Sequence, residues 1–342
     1  MAGTPKTVSL ALQGGGAHGA FSWGVIDALL EDGRIQPGAI TATSAGAMNA
    51  VVYAEGLRTH GKDGARAALE GFWRKVSNAG GPFRPLPAAS LFGGSGDTRG
   101  PIFSLLDAWT RVTSPYNLNP FDYNPLRDIL TDCVDFDALK SCQGLDIFVC
   151  ATSVKTGKAR IFDKSDLTRE AVLASACLPY LFQAVQIDGE PYWDGGFSGN
   201  PALWPLYYSD TPRDILIVQL NPLERDETPK TASDILNRVN EITFNAALLA
   251  ELRALAFVKD LIAEHRLVDA ENSRLRDMLV HAIRADETIR GLPADSKFDT
   301  GWNALTHLRD AGRDAAFAWL ERCADTVGAH STIDLRGDFL GD

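Results

Sequence analysis

Two apolar runs near the start of the chain each end in a turn built from very small residues. Val8-Ser9-Leu10-Ala11-Leu12 opens onto Gln13-Gly14-Gly15-Gly16-Ala17-His18-Gly19, and Ile40-Thr41-Ala42-Thr43 opens onto Ser44-Ala45-Gly46. Short apolar runs bounded by turn residues read as buried strands. The stretches 17–31 and 45–56 read as the helices these turns feed, with Gly56 able to cap the second, and 65–76 reads as another helix. The strand pattern returns at 145–152 and 215–220, while Thr156-Gly157 and Asp188-Gly189 mark hairpin turns. Residues 167–176 read as a helix stopped by Leu178-Pro179. From Ser233 onward the period is helical: Leu248, Leu252, Leu255, Val258 and Ile262 share one stripe, and 273–284 and 311–326 read as further short helices. Strands alternating with helices predict an α/β fold around a mainly parallel sheet.

One long segment breaks this rhythm. Residues 78–125 are punctuated by Gly80-Gly81-Pro82, Pro85-Leu86-Pro87, Gly93-Gly94-Ser95-Gly96 and Gly100-Pro101. Its aromatic residues (Phe83, Phe92, Phe103, Trp109, Tyr116, Phe121 and Tyr123) argue against a free linker, so it reads as an irregular cap over a site. The organisation expected is one unit over 8–220, interrupted by this insertion, and a mainly helical region over 231–342 packed on the same domain.

Composition narrows the partners. Forty-four acidic residues against 33 basic ones leave a formal charge of −11, and no basic run is long enough to track a phosphate backbone, which argues against nucleic acid. Contact with a membrane or lipid surface would then be peripheral, local and apolar rather than driven by bulk charge. The five cysteines, Cys133, Cys142, Cys150, Cys177 and Cys323, have no C-x-x-C spacing and point to a reducing compartment without a zinc site. With no signal-like leader and no long apolar span, the chain reads as soluble and cytoplasmic. Its oligomeric state is left open.

The two small-residue turns carry the candidate chemistry. Three glycines after a strand let the backbone approach a ligand closely, and the following helix N-terminus adds a positive dipole end, so the turn suits a negatively charged oxygen. Ser44 stands between small residues where a strand becomes a helix, as in a nucleophile elbow, where the next N–H faces the oxyanion; Ala42 occupies the place of the first glycine of G-x-S-x-G. The spacing Gly14-x-Gly16-x-x-Gly19 also fits a dinucleotide-binding turn. That reading wants an acidic residue at the end of the second strand, and none occurs between Asp32 and Glu55.

A serine nucleophile needs a base. Asp194 follows the second hairpin strand and precedes Gly195-Gly196, which lets the backbone bend and present the carboxylate; the plain alternative is an aspartate capping its own turn. Of the six histidines, His265, His281, His307 and His330 have the chain order of a Ser-acid-His triad with Ser44 and Asp194. All four fall in stretches that read as helical or terminal, where a surface or packing histidine is the ordinary case.

Gly14-Gly15-Gly16-Ala17-His18-Gly19, Ala42-Thr43-Ser44-Ala45-Gly46, Ala174-Ser175-Ala176-Cys177-Leu178-Pro179 and Asp194-Gly195-Gly196 together resemble the ordered signature of patatin-like phospholipases, over roughly residues 8–220. The resemblance implies a three-layer α/β/α fold and a Ser-Asp dyad with no catalytic histidine. By position, Ser44 would be the nucleophile and Asp194 the base, with the oxyanion held by Gly14, Gly15 and Gly16 and the N–H of Ala45. No metal or other cofactor is called for. The function expected is hydrolysis of fatty acyl esters, as a phospholipase or esterase working through an acyl-enzyme. Esterase, thioesterase, polyester hydrolase or acyltransferase activity on other acyl groups stays open. So does a catalytically silent lipid-binding or regulatory module.

Overall fold

A computed structural model describes residues 4–80, 114–266, 276–292 and 294–341. Most of the expected cap therefore lies outside the described residues. Among the described residues, eight strands form one sheet: β1 (Lys6–Leu12), β2 (Ile35–Ala42), β3 (Asp146–Ser153), β4 (Ala159–Asp163), β5 (Val185–Ile187), β6 (Glu190–Asp194), β7 (Asp214–Gln219) and β8 (Leu279–Arg284). Their order is β5-β6-β3-β2-β1-β7-β8, with β4 also on β3. The pairs among β3, β2, β1, β7 and β8 are parallel, and those of β4, β5 and β6 antiparallel.

The helices are α1 (Gly19–Asp32), α2 (Ala45–Asn78), α3 (Pro115–Leu118), α4 (Pro125–Cys133), α5 (Phe136–Lys140), α6 (Arg169–Ser175), α7 (Trp204–Tyr208), α8 (Ala232–Ala263), α9 (Asp286–Arg290) and α10 (Trp302–Cys323). Alternation along the strands divides the core into two layers. Val8, Leu10 and Leu12 of β1 and Leu216 and Val218 of β7 pack with α1, α2, α6 and α10. Ala11, Ile215 and Ile217 face the other way, onto Leu248, Leu252 and Leu255 of α8. The result is the expected three-layer α/β/α arrangement with a mostly parallel sheet.

Two local expectations are corrected. The stretch 273–284 reads as a helix by period, but Leu279–Arg284 is a strand in parallel register with β7, pairing Asp214 with Leu279 through Gln219 with Arg284. A six-residue apolar run is ambiguous by itself, and the open edge of β7 decides it. The helix after Ser44 does not stop at Gly56: α2 runs on to a break at His60 and Gly61, where Gly61 takes φ 66°. Gly56 instead allows close packing, since a Cβ there would come within 2.6 Å of Ala65 Cα on the returning limb.

The hairpin expected at Asp188-Gly189 forms with φ 52° and 80° at those residues, the double positive φ of a tight two-residue turn. It orients β6, and β6 carries Asp194.

Candidate active site

Ser44 sits at the end of β2, one residue before α2, with φ 56° and ψ −123°. A non-glycine residue there is strained and held by its surroundings. Its N–H donates to Ser175 Oγ at 2.8 Å, and its C=O accepts from Met48 N–H at 3.1 Å in the first turn of α2. Ala42 does not obstruct the turn: its side chain is fully buried in the core layer beneath α1 and α2. Gly46 is required, since a Cβ there would fall 2.5 Å from Leu12 O.

Register brings Asp194 to Ser44. One edge of β3 carries β4 from Phe148 to Thr152; the other pairs with β2 only as far as Val149, opposite Ala42, and then with β6 from Ala151, opposite Asp194. β6 therefore fills the slot that β2 leaves when it turns into the elbow. Asp194, two residues beyond the Ala42 level, meets Ser44, two residues beyond Ala42. Thr152 Oγ1 donates to Asp194 C=O at 2.8 Å, and Asp194 N–H donates to Cys177 C=O at 2.8 Å, which holds the backbone.

The Asp194 side chain has no solvent exposure. Oδ1 accepts the Gly196 N–H at 2.7 Å, while Oδ2 makes no hydrogen bond among the described residues. The Ser44 hydroxyl stands near enough to favour the charged carboxylate, yet no bond of regular geometry joins the two, so the pair is adjacent rather than bonded. Burial dominates and pushes the carboxyl up to about 7, against the lowering effects of Gly196 N–H and Ser44. Phe244 of α8 supplies part of that apolar cover, its ring 2.8 Å from where a Cβ on Gly196 would lie.

The glycine turn lies against Ser44: a Cβ on Gly14 would come within 2.6 Å of Ser44 Cβ. Gly14 N–H is engaged by Asn200 Oδ1 at 2.6 Å. The N–H groups of Gly15, Gly16 and Ala45 have no acceptor among the described residues, so three of the four positions expected to face an oxyanion carry free donors. Gly16 takes φ 61°.

Sequence reasoning missed the polar frame behind this turn. Gln13, fully buried, accepts at Oε1 from Leu220 and Asn221 N–H at 2.8 and 2.9 Å and donates to Asn200 C=O and Asn245 Oδ1. Asn221 Nδ2 donates to Gly14 C=O at 2.9 Å. Ser175 stood in a recognisable motif without a role. Gln13 was legible only as an amide at the end of an apolar strand.

None of the histidines reaches the pair through a hydrogen bond. His281, expected in a helix, is a buried residue of β8, bonded to Asp214 Oδ1 at 3.1 Å and Thr332 Oγ1 at 3.0 Å. It lies three strands from β2, on the order of 14 Å away at ordinary strand spacing. His18 is buried beside the glycine turn and bonded to Ser296 Oγ at 2.8 Å. Burial, then Lys297 and Arg225, push it down to about 3, so it is neutral.

The α/β/α layers, the strand-turn-helix at Ser44 and the glycine turn beside it define a class of serine-centred α/β folds. The sequence matches the family model for patatin-like phospholipase over residues 10–207, more than half of the chain, and the protein belongs to that family. Membership supports a lipid hydrolase in general terms. No curated protein matches the chain.

Among solved structures, VipD from Legionella pneumophila is similar at 14% identity and a TM-score of 0.39, over 98% of this chain and 73% of that one. The type III effector protein ExoU aligns at 14% identity and 0.35, over 94% of this chain and 54% of its own. The heterodimeric ExoU–SpcU complex from Pseudomonas aeruginosa aligns at 18% identity and 0.30, over 94% and 61%. At these scores nothing about activity passes from them to this chain. No described helix is long and apolar enough to cross a membrane.

Proposed function

We propose that this protein is a serine acyl hydrolase that cleaves carboxylic esters of fatty acyl lipids, with Ser44 as nucleophile and Asp194 as its base. The observation that carries this reading is the buried Asp194 carboxyl, its Oδ2 unengaged, beside a serine held in a strained elbow. Ser44 Oγ attacks the ester carbonyl carbon as Asp194 takes the hydroxyl proton, and the carbonyl π pair moves onto oxygen. Collapse of that oxyanion breaks the ester C–O bond, and the leaving oxygen takes the proton from Asp194. Water then attacks the acyl-Ser44 ester by the same route, releasing the acid and restoring the serine.

The oxyanion is stabilised by the free N–H groups of Gly15, Gly16 and Ala45, while Gly14 permits the close approach of the turn to Ser44. A carboxyl raised to about 7 is a stronger base than an ordinary aspartate when ionised, and it remains ionised in part at neutral pH. Burial thus supplies basicity that a histidine supplies in triads.

A lipid substrate is supported by the family and by an exposed apolar stripe. Ile235, Val239 and Ile242 are exposed along one face of α8, on the side opposite Phe244. Such a stripe suits an acyl-chain surface without anionic attraction. Ile242→Asp is expected to slow hydrolysis of vesicle-borne esters while sparing short soluble esters; equal effects on both would remove the surface role.

The test of the activity is covalent labelling with a fluorophosphonate and peptide mapping, on the wild type, Ser44→Ala and Asp194→Asn. Labelling confined to Ser44 and strongly reduced by Asp194→Asn supports the dyad. A folded wild type that stays unlabelled and hydrolyses no ester in a panel of chain lengths leaves a silent lipid-binding module as the better account.

A further inference from the structure

Lys297 brings an ammonium group to the back of the glycine turn from far along the chain. It lies in a short turn, Ala294–Phe298, whose Lys297 C=O lies 2.5 Å from where a Cβ on Gly16 would be. Its Nζ donates to Asn221 Oδ1 at 3.3 Å and makes no ion pair among the described residues. The carboxylate that favours its charge, Glu241 of α8, is already held by Arg225 and Arg238. The same turn is anchored independently by Ser296 to His18, so the ammonium is not needed to tie it down.

Its position favours one orientation of an amide, the one that Gly14 C=O and Gln13 Oε1 also accept from. An ammonium has donors and no acceptor, whereas the two ends of an asparagine side chain are an acceptor and a donor. Lys297 therefore draws Asn221 Oδ1 toward itself and leaves Nδ2 facing Gly14 C=O at 2.9 Å and Gln13 Oε1 at 3.3 Å; Gly14 C=O accepts more weakly from Asn200 Nδ2 at 3.4 Å. In a trans peptide the C=O and the N–H point in opposite directions. Holding Gly14 C=O back toward Asn221 thus aims the Gly15 N–H of the same peptide away from it, as an unengaged donor. A peptide between two glycines has little steric preference of its own.

We propose that Lys297 is a positioning residue that, through the Asn221 side chain, holds the Gly14–Gly15 peptide so that the Gly15 N–H faces the oxyanion formed at Ser44. This rests on the serine hydrolase reading above. Lys297 touches no reacting atom; it acts through two hydrogen bonds. The charged groups that act on it are Glu241 of α8, itself paired with Arg238, and Arg225 of the preceding loop, with neutral His18 on the glycine turn. Burial with Arg225 pushes Lys297 down to about 8, so the ammonium form dominates at neutral pH.

The experiment compares Lys297→Met, Lys297→Arg, Lys297→Gln and Asn221→Ala for the rate of fluorophosphonate labelling at Ser44, for kcat and KM on a soluble ester, and for Tm. Lys297→Met is expected to lower kcat and the labelling rate by about 10- to 100-fold, less than the roughly 100- to 1000-fold of a wholly lost oxyanion donor because the Gly15 N–H is misaimed rather than removed, with KM little changed. Arg, which also only donates, recovers most of the rate, and Gln, which can present either end, does not. Lys297→Met combined with Asn221→Ala is no slower than the worse single variant, since both break one chain of contacts. Lys297→Met labelled at the wild-type rate overturns the proposal, as do additive losses or an Arg variant as slow as Met at equal Tm. If Lys297→Met does not fold, the Arg and Gln pair decides by the same criterion. An unlabelled, inactive wild type instead overturns the hydrolase reading, and this proposal with it.

Discussion

Asp194 stands level with Ser44 because β6 enters the sheet in the slot that β2 vacates. Ala42 pairs with Val149 and Asp194 with Ala151 on the same edge of β3. Two residues past Ala42 the chain reaches Ser44, and the carboxyl is already there. The placement needs no long loop, only one hairpin returning along β3.

The ionisation of Asp194 sets the pH dependence expected for Ser44. Only the carboxylate accepts a proton, and burial pushes its pKa up to about 7. The labelling rate should rise with pH through about 7 and level off above it, falling about tenfold per unit on the acid side. Asp194→Asn should give a low, flat profile over the same range. A wild-type rate that is already constant at pH 5 would refute a buried Asp194 base.

Stability should move the other way. A carboxyl with a raised native pKa contributes fully to stability below its unfolded pKa, and that contribution is lost as pH rises through the folded value near 7. Asp194→Asn removes the titration. Its stability relative to wild type should therefore increase by about 2 kcal/mol between pH 5 and pH 8, measured by urea unfolding at both. An unchanged difference would mean that Asp194 is not held in a desolvating site.

Crowding at the glycine turn predicts a sharp contrast between glycines. Gly14→Ala would press a methyl to within 2.6 Å of Ser44 Cβ and 3.0 Å of Thr43 O, whereas Gly71, on α2, has nothing within 4 Å of its would-be Cβ. Gly14→Ala should cost about 1 to 3 kcal/mol and slow labelling more than about tenfold. Gly71→Ala should stabilise by up to about 1 kcal/mol and leave labelling unchanged. Equal labelling of the two variants would show that Ser44 does not depend on the packing of the turn.

His281 should prove structural. It bonds Asp214, whose carboxyl burial alone would raise; bonds from His281 and the Gly328 N–H outweigh that and hold it below the ordinary carboxylate range. His281→Ala leaves this buried carboxylate with one partner fewer and should cost about 1 to 3 kcal/mol. Ser44 labelling in the folded variant should persist. Loss of labelling at unchanged stability would instead argue for a histidine base.

Strand alternation, turn residues and small-residue crowding act over a few neighbours, so β1, β2, β3, β7, the Asp188-Gly189 hairpin and the turn at Ser44 could be read from order alone. The order of the four motifs was enough to expect the family and its three layers. What depended on residues far apart could not be read this way. The strand state of Leu279–Arg284 required the free edge of β7, and the passage of α2 through Gly56 required a returning limb against which to pack. The raised pKa of Asp194 required Phe244 and the sheet to exclude water around it, and the tether from Lys297 through Asn221 to Gly14 joins three segments with no common local pattern. Local stereochemistry thus specified the elements and the two turns. Tertiary packing decided their neighbours, the dryness of the carboxyl and the direction of the Gly15 N–H, because desolvation and amide orientation are properties of what surrounds a group.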